Sequence, residues 1–262
     1  SNPGARVRLL CAIGIDPLSD ALAESLEAEG VDTSLMLRHP ERHTGLYAIH
    51  NDSQGERSFI YWRSESAARE TLKLLDADPE LAFPEAPACF YLTGISLAIL
   101  DDNCRERLWP LLESMRARGT RIIFDTNYRP ALWPGRAPAV AAFEKTLRLT
   151  DLALPGVEDM ELLYGGNDAA AIGAQLQSLG VEQMVLKNGG ADIFFGSPVS
   201  PQRHVISPVA KVIDTTAAGD AFSGTLLGGL SRGLPMSQAI TDAAAVSARV
   251  VQHRGAILPG DP

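Results

Sequence analysis

The stretch "RIIFDTN" (Arg121–Asn127) places three apolar residues, Ile122, Ile123 and Phe124, in an unbroken run and then stops on Asp-Thr-Asn. A strand with one face in water would alternate, so a continuous run predicts a strand covered on both sides. Similar runs precede and follow it: "VRLLCAIG" (Val7–Gly14), "CFYLTG" (Cys89–Gly94), "DLALPG" (Asp151–Gly156) and "QMVLKNG" (Gln183–Gly189). The last four begin about 30 residues apart, the length of a strand plus its crossover helix. Helical patterns fill the gaps at Pro17–Glu29, Asp101–Arg118, Ala137–Leu149 and Asp168–Leu179. Together they predict an α/β, three-layer sandwich around a mostly parallel central sheet.

One segment breaks the rhythm. "GLYAIHNDSQGERSFIYWR" (Gly45–Arg63) alternates in two runs about a polar turn, the pattern of a β-hairpin. It divides the chain into a core of residues 1–43 and 67–262 and a small β lid at 44–66. Two further helices are predicted at Ala217–Arg232 and Met236–His253, closed by Gly233 and Gly255. In the first, Gly224 and Gly228 form a smooth stripe suited to close helix packing.

The 262 residues carry 32 acidic and 23 basic side chains, a net charge of -9, with no dense basic cluster. Nucleic acid is an unsuitable partner for that surface. Cys11, Cys89 and Cys104 lack metal-like spacing and read as reduced core thiols. No run reaches the roughly 20 apolar residues of a membrane span, and the start "SNPGARVRLL" has no secretory pattern, so a cytoplasmic location is expected.

The chemistry gathers in "DTTAAGDAF" (Asp214–Phe222). Helix N-termini expose unpaired N–H groups and attract anions, and the small residues Ala217, Ala218 and Gly219 let a ligand approach the backbone. Gly219 is expected to supply a positive φ. Asp220 sits where a phosphate loop would enter its helix. An acidic residue there can be a simple helix-stabilising charge, or a general base beside a phosphoryl group. A Walker A loop needs Gly-Lys followed by Ser or Thr. None of the four lysines (Lys73, Lys145, Lys187, Lys211) follows a glycine.

"VIDTTAAGDAFSGTLLGGL" resembles the C-terminal signature of the ribokinase-like (PfkB) carbohydrate kinase family. The resemblance implies ATP and Mg²⁺ as partners, Asp220 as the base that deprotonates the sugar hydroxyl, and the amides of Ala217, Ala218 and Gly219 as an anion hole. "LKNGGAD" (Leu186–Asp192) is similar to the segment lining the nucleotide pocket, which implies nucleotide contacts from Lys187, Asn188, Gly189 and Asn127. "QHRGAILP" (Gln252–Pro259) resembles the family's closing loop, which with Asp214 and Thr216 can surround a monovalent cation such as K⁺.

"GERSFIYWRSESAAR" (Gly55–Arg69), "YLTGISLAIL" (Tyr91–Leu100) and "FDTNYRPALW" (Phe124–Trp133) are similar to segments of the ketodeoxygluconate kinases within that family. A guanidinium fork binds a carboxylate bidentately, so Arg63 and Arg129 suit an acid sugar. By the same resemblance Tyr47 and Tyr61 contact substrate, although cross-strand packing alone would explain them. The expected reaction is phosphorylation of 2-keto-3-deoxy-D-gluconate at its 6-hydroxyl. Another sugar or nucleoside kinase, or a truncated non-catalytic relative, stays open as an alternative. Family members begin with a further strand and a Gly-Gly-x-x-x-Asn stretch that has no counterpart here, so an incomplete record of a longer chain is expected. The usual Asn-x-x-Glu is replaced by "GVED" (Gly156–Asp159), with Glu158 and Glu161 nearby, leaving magnesium contacts undefined. Lid pairing would give a homodimer or a higher homo-oligomer.

Overall fold

The computed structural model describes residues 6–51, 57–75, 82–207 and 209–255. It contains the strands β1 (Cys11–Ile13), β2 (Met36–Arg38), β3 (Leu46–Asn51), β4 (Arg57–Trp62), β5 (Cys89–Thr93), β6 (Arg121–Asp125), β7 (Leu152–Leu154), β8 (Met184–Leu186), β9 (Ile193–Gly196) and β10 (Gln202–His204). The helices are α1 (Pro17–Ala28), α2 (Thr71–Leu74), α3 (Gly94–Ile99), α4 (Asp102–Ala117), α5 (Arg136–Leu147), α6 (Val157–Tyr164), α7 (Ala169–Ser178), α8 (Ala218–Ser231) and α9 (Met236–Val250).

A six-stranded sheet runs in the order β10-β9-β8-β7-β6-β5. From β5 to β8 each strand reaches its neighbour through helices, the connection that parallel pairing requires, and β7 pairs with β8 in parallel. The continuous apolar runs of β6, β7 and β8 are buried as expected, with Ile122, Phe124, Leu152, Ala153, Leu154, Met184, Val185 and Leu186 fully enclosed, whereas in β5 only Leu92 is buried. The far edge departs from the sequence reading. After β8 the chain returns as β9 and then β10, both antiparallel. Val7–Gly14 also differs. Only Cys11–Ile13 forms a strand, and it pairs in parallel with β2 in a sheet of its own.

The chain divides into two compact units, one holding Arg6–Ile123 and Tyr128–Thr150, the other Phe124–Asn127 and the residues from Asp151 onward. In the first unit β3 and β4 form the expected antiparallel hairpin, with Leu46 opposite Trp62, Tyr47 opposite Tyr61 and Ala48 opposite Ile60. Its turn, residues 52–56, lies outside the described residues.

Helix boundaries follow local chemistry. The Asp16 carboxylate accepts from the amides of Leu18 and Ser19 to cap α1, Asp101 caps α4 through Cys104 N, and Asp168 caps α7 through Ala171 N. Gly233 and Gly255 adopt φ of 80° and 87° after the last two helices, as their positions require. The close packing falls at the residue after Gly228 and not at Gly224. A Cβ on Gly224 would meet nothing, whereas one on Gly229 would lie 3.0 Å from the Cβ of Ala239 in α9. Among the thiols Cys104 is buried, Cys11 half-buried and Cys89 exposed, so Cys89 is not a core residue. Cys89 lies on β5, the edge strand of the sheet, and shares its exposed face with Tyr91.

A charged cluster stiffens the first unit. Glu70 lies 2.9 Å from both Lys73 and Arg42, and 3.1 Å from His39 Nε2. His39 Nδ1 accepts from the amides of Glu41 and Arg42, so Nε2 carries the hydrogen donated to Glu70. The hydrogen bonds from Lys73 and His39 hold the Glu70 carboxyl below its ordinary 4.5. A carboxylate with a depressed folded pKa stabilises above the unfolded value and loses that contribution as pH falls through the folded one. Thermal stability should therefore decline as pH falls below about 4.5 and on through the lower folded value, and Glu70→Gln should flatten part of that decline in scanning calorimetry.

Candidate active site

At the C-terminal end of β6 the chain passes from buried Asp125 and Thr126 to Asn127, which takes a left-handed φ of 29°. At the end of β8, Lys187 forms a parallel bridge with Gly156, and Gly189 turns with φ 56°. Both turns lie at the C-terminal edges of strands, where open α/β sheets hold ligands. The Lys187 ammonium is 2.6 Å from Asp125 Oδ2, and the Ser223 hydroxyl of α8 donates to the same oxygen at 2.8 Å. Beside it, Thr126 Oγ1 donates to Asp159 Oδ2 at 2.6 Å and accepts from Gly156 N at 3.0 Å. Sequence reasoning missed Asp125, Thr126, Asp159 and Ser223; the only local signal was the pair of polar residues ending a buried strand.

The start of α8 has no side-chain cap. Its Ncap is Ala217, in the left-handed conformation at φ 59°, with no side-chain oxygen to occupy the first-turn amides. The positive φ thus falls on Ala217. Gly219 is already helical, a correction to the sequence reading, because the turn is completed one residue before α8 begins. Asp220 stands at the third helical position, exposed. The Ser247 hydroxyl donates to Ala218 O at 3.0 Å and ties this turn to α9.

Just upstream, Asp214 is buried and its carboxylate is already surrounded by donors. Oδ1 accepts from Thr216 N at 3.0 Å and Thr216 Oγ1 at 2.6 Å, and Oδ2 accepts from Gly255 N at 2.8 Å. The backbone amides of Ile213 and Asp214 donate to Val251 O. Three donors thus hold the carboxylate in place, and no K⁺ cage is outlined by the described residues. The part of the closing loop from Ala256 onward lies outside the described residues.

In the other unit, the hairpin brings three of the expected substrate residues together. Tyr47 and Tyr61 are directly opposed with ring centroids 6.2 Å apart, and the Arg63 guanidinium lies 4.0 Å above the Tyr61 ring. Arg129 is exposed and donates to Tyr128 O at 3.2 Å, just before a short turn at Pro130–Leu132. Its position is set by its buried neighbours, since Tyr128 and Trp133 both pack edge-on against Phe143.

The sequence matches the pfkB family carbohydrate kinase profile over residues 1–262. The chain belongs to that family. Among its relatives, the 2-dehydro-3-deoxygluconokinase of Escherichia coli strain K12 is 38% identical over 97% of this chain and 83% of that protein. The solved PfkB protein of Polaromonas sp. JS666 superposes with a TM-score of 0.83 at 25% identity, covering 95% of this chain and 81% of its own. An E. coli protein described as a ribokinase II, solved in complex with ATP and Mg²⁺, shares the fold with a TM-score of 0.81 at 24% identity, over 97% and 79% of the two chains. The PfkB chain is therefore a carbohydrate kinase with a ribokinase-like fold. Among its described residues no helix is long and apolar enough to cross a membrane, and no group of three or more His, Cys, Asp or Glu side chains forms a metal cage. A kinase magnesium is held largely by substrate phosphates and water with one or two carboxylates, a demand that Glu158 and Asp159 in the first turn of α6 can meet.

Proposed function

We propose that this PfkB kinase transfers the γ-phosphoryl group of ATP to the 6-hydroxyl of 2-keto-3-deoxy-D-gluconate, giving 2-keto-3-deoxy-6-phosphogluconate and ADP. The observation that carries the reading is the exposed carboxylate of Asp220 at the third position of a helix whose first-turn amides have no side-chain cap. Asp220 takes the proton of the attacking hydroxyl while the amides of Ala217 and Gly219, joined by that of Ala218 when it exchanges Thr215 O for the ligand, face the negative phosphoryl oxygens. Mg²⁺, bound with ATP and met by Glu158 or Asp159 in the first turn of α6, would neutralise phosphate charge. Asn127, Lys187, Asn188 and Gly189 belong to the nucleotide side of this reading, with Lys187 acting through its pairing to Asp125.

The choice of an acid sugar rests on Arg63 and Arg129, supported by the 38% identity to a protein named for that substrate. Arg63 is held flat on Tyr61, so its fork is ordered before a carboxylate arrives. The two faces of the hairpin then divide the work. Tyr47, Tyr61 and Arg63 share the substrate face, while the exposed Leu46, Ile60 and Trp62 share the opposite one, an apolar surface suited to a second copy's lid. A cytoplasmic location accompanies this metabolic role.

The test is an ATP-dependent assay on ketodeoxygluconate, gluconate, fructose and ribose. Ketodeoxygluconate should give the highest kcat/KM. Arg63→Ala should raise its KM by roughly 10- to 100-fold, the value of one charge-assisted hydrogen bond, and leave any residual turnover of fructose unchanged. Equal loss on fructose, or none on ketodeoxygluconate, would sink the carboxylate assignment.

A further inference from the structure

We infer that Asp125 is a positioning residue for phosphoryl transfer, acting through Ser223 to fix the first turn of α8 and the direction of the Asp220 side chain. The inference rests on the reading of Asp220 as the base.

Asp125 ends β6 with its side chain only 3% exposed. A buried carboxylate is costly unless its charge is offset and its oxygens accept hydrogen bonds. Here one oxygen receives both the Lys187 ammonium, at 2.6 Å, and the Ser223 hydroxyl, at 2.8 Å. Lys187 offsets the charge. Ser223 adds little to that, and its value lies in where it sits: it is 1% exposed and three residues after Asp220, about one turn along the same helix.

The first turn of α8 needs such a tie. Its Ncap, Ala217, has no side-chain oxygen and holds a left-handed conformation that an alanine seldom adopts. Two side-chain hydroxyls bound this turn. Ser247 grips Ala218 O from α9, and Ser223 grips the end of β6 through Asp125. A carboxylate that must meet a hydroxyl proton within hydrogen-bond reach gains its rate from being held in place, and a shift of about 1 Å can cost up to 10²-fold.

Ser223→Ala removes the tie while leaving the Lys187–Asp125 pair intact. We expect kcat on ketodeoxygluconate to fall roughly tenfold with KM for both substrates within about twofold. In an Asp220→Asn background the Ser223→Ala loss should vanish, because there is no base left to misplace. The same tenfold loss in both backgrounds, or wild-type kcat in Ser223→Ala, overturns the inference. Hydrogen exchange at the amides of Gly219, Asp220 and Ala221 supplies a readout independent of turnover. Faster exchange in Ser223→Ala supports the tie and unchanged exchange overturns it. A wild-type protein that transfers no phosphate, combined with faster exchange in the variant, would refute the base and leave the anchoring of α8 standing.

Discussion

Asp220→Asn should lower kcat by roughly 10² to 10⁴ while ATP binding stays near the wild-type level. A general base contributes about that much, and the amide side chain cannot take the hydroxyl proton at neutral pH. Asparagine fits the third position of α8 without steric change, and the loss of one acidic group at a helix start removes only about 0.3 to 1 kcal/mol. The result thus separates the two readings of this residue. A helix-stabilising charge predicts a small change in thermal stability and normal turnover, whereas the base predicts the reverse. Steady-state kinetics paired with calorimetric titration of ATP decides between them, and near-normal turnover would remove Asp220 from the mechanism.

The second large effect falls on stability. Asp125→Ala leaves Lys187, only 19% exposed, without its partner, and should cost roughly 3 kcal/mol in urea unfolding. Asp125→Leu combined with Lys187→Met removes both charges and should recover most of that loss, since replacing a whole buried pair by apolar groups is often neutral. A single variant within about 0.5 kcal/mol of wild type would show that the pair is not energetically coupled to the fold.

The parts of this architecture legible in the sequence are those whose signal is local. Strands such as Phe124 within β6 or Leu152–Leu154 in β7 are buried on both faces, so their neighbours along the chain are apolar as well. β10, by contrast, reads Gln-Arg-His at a sheet edge, and β2 spans three residues; neither carries a pattern long enough to register. The site divides the same way. Asp220 and its small neighbours form one contiguous motif. Asp125 looked like the polar end of a strand because its partners, Lys187 and Ser223, lie 62 and 98 residues away. Gly219 attracted the positive φ in the sequence reading because glycine accepts it most readily, yet the turn falls on Ala217.

That left-handed alanine has a thermodynamic consequence of its own. An L-residue with a Cβ is strained there by about 1 kcal/mol or more, a cost glycine would avoid. Alanine in turn narrows the range of shapes open to this loop before folding, so less disorder has to be frozen out when the amides of the first turn are set in place. The protein accepts local strain at Ala217 and gains a first turn of α8 that has less disorder to lose on folding.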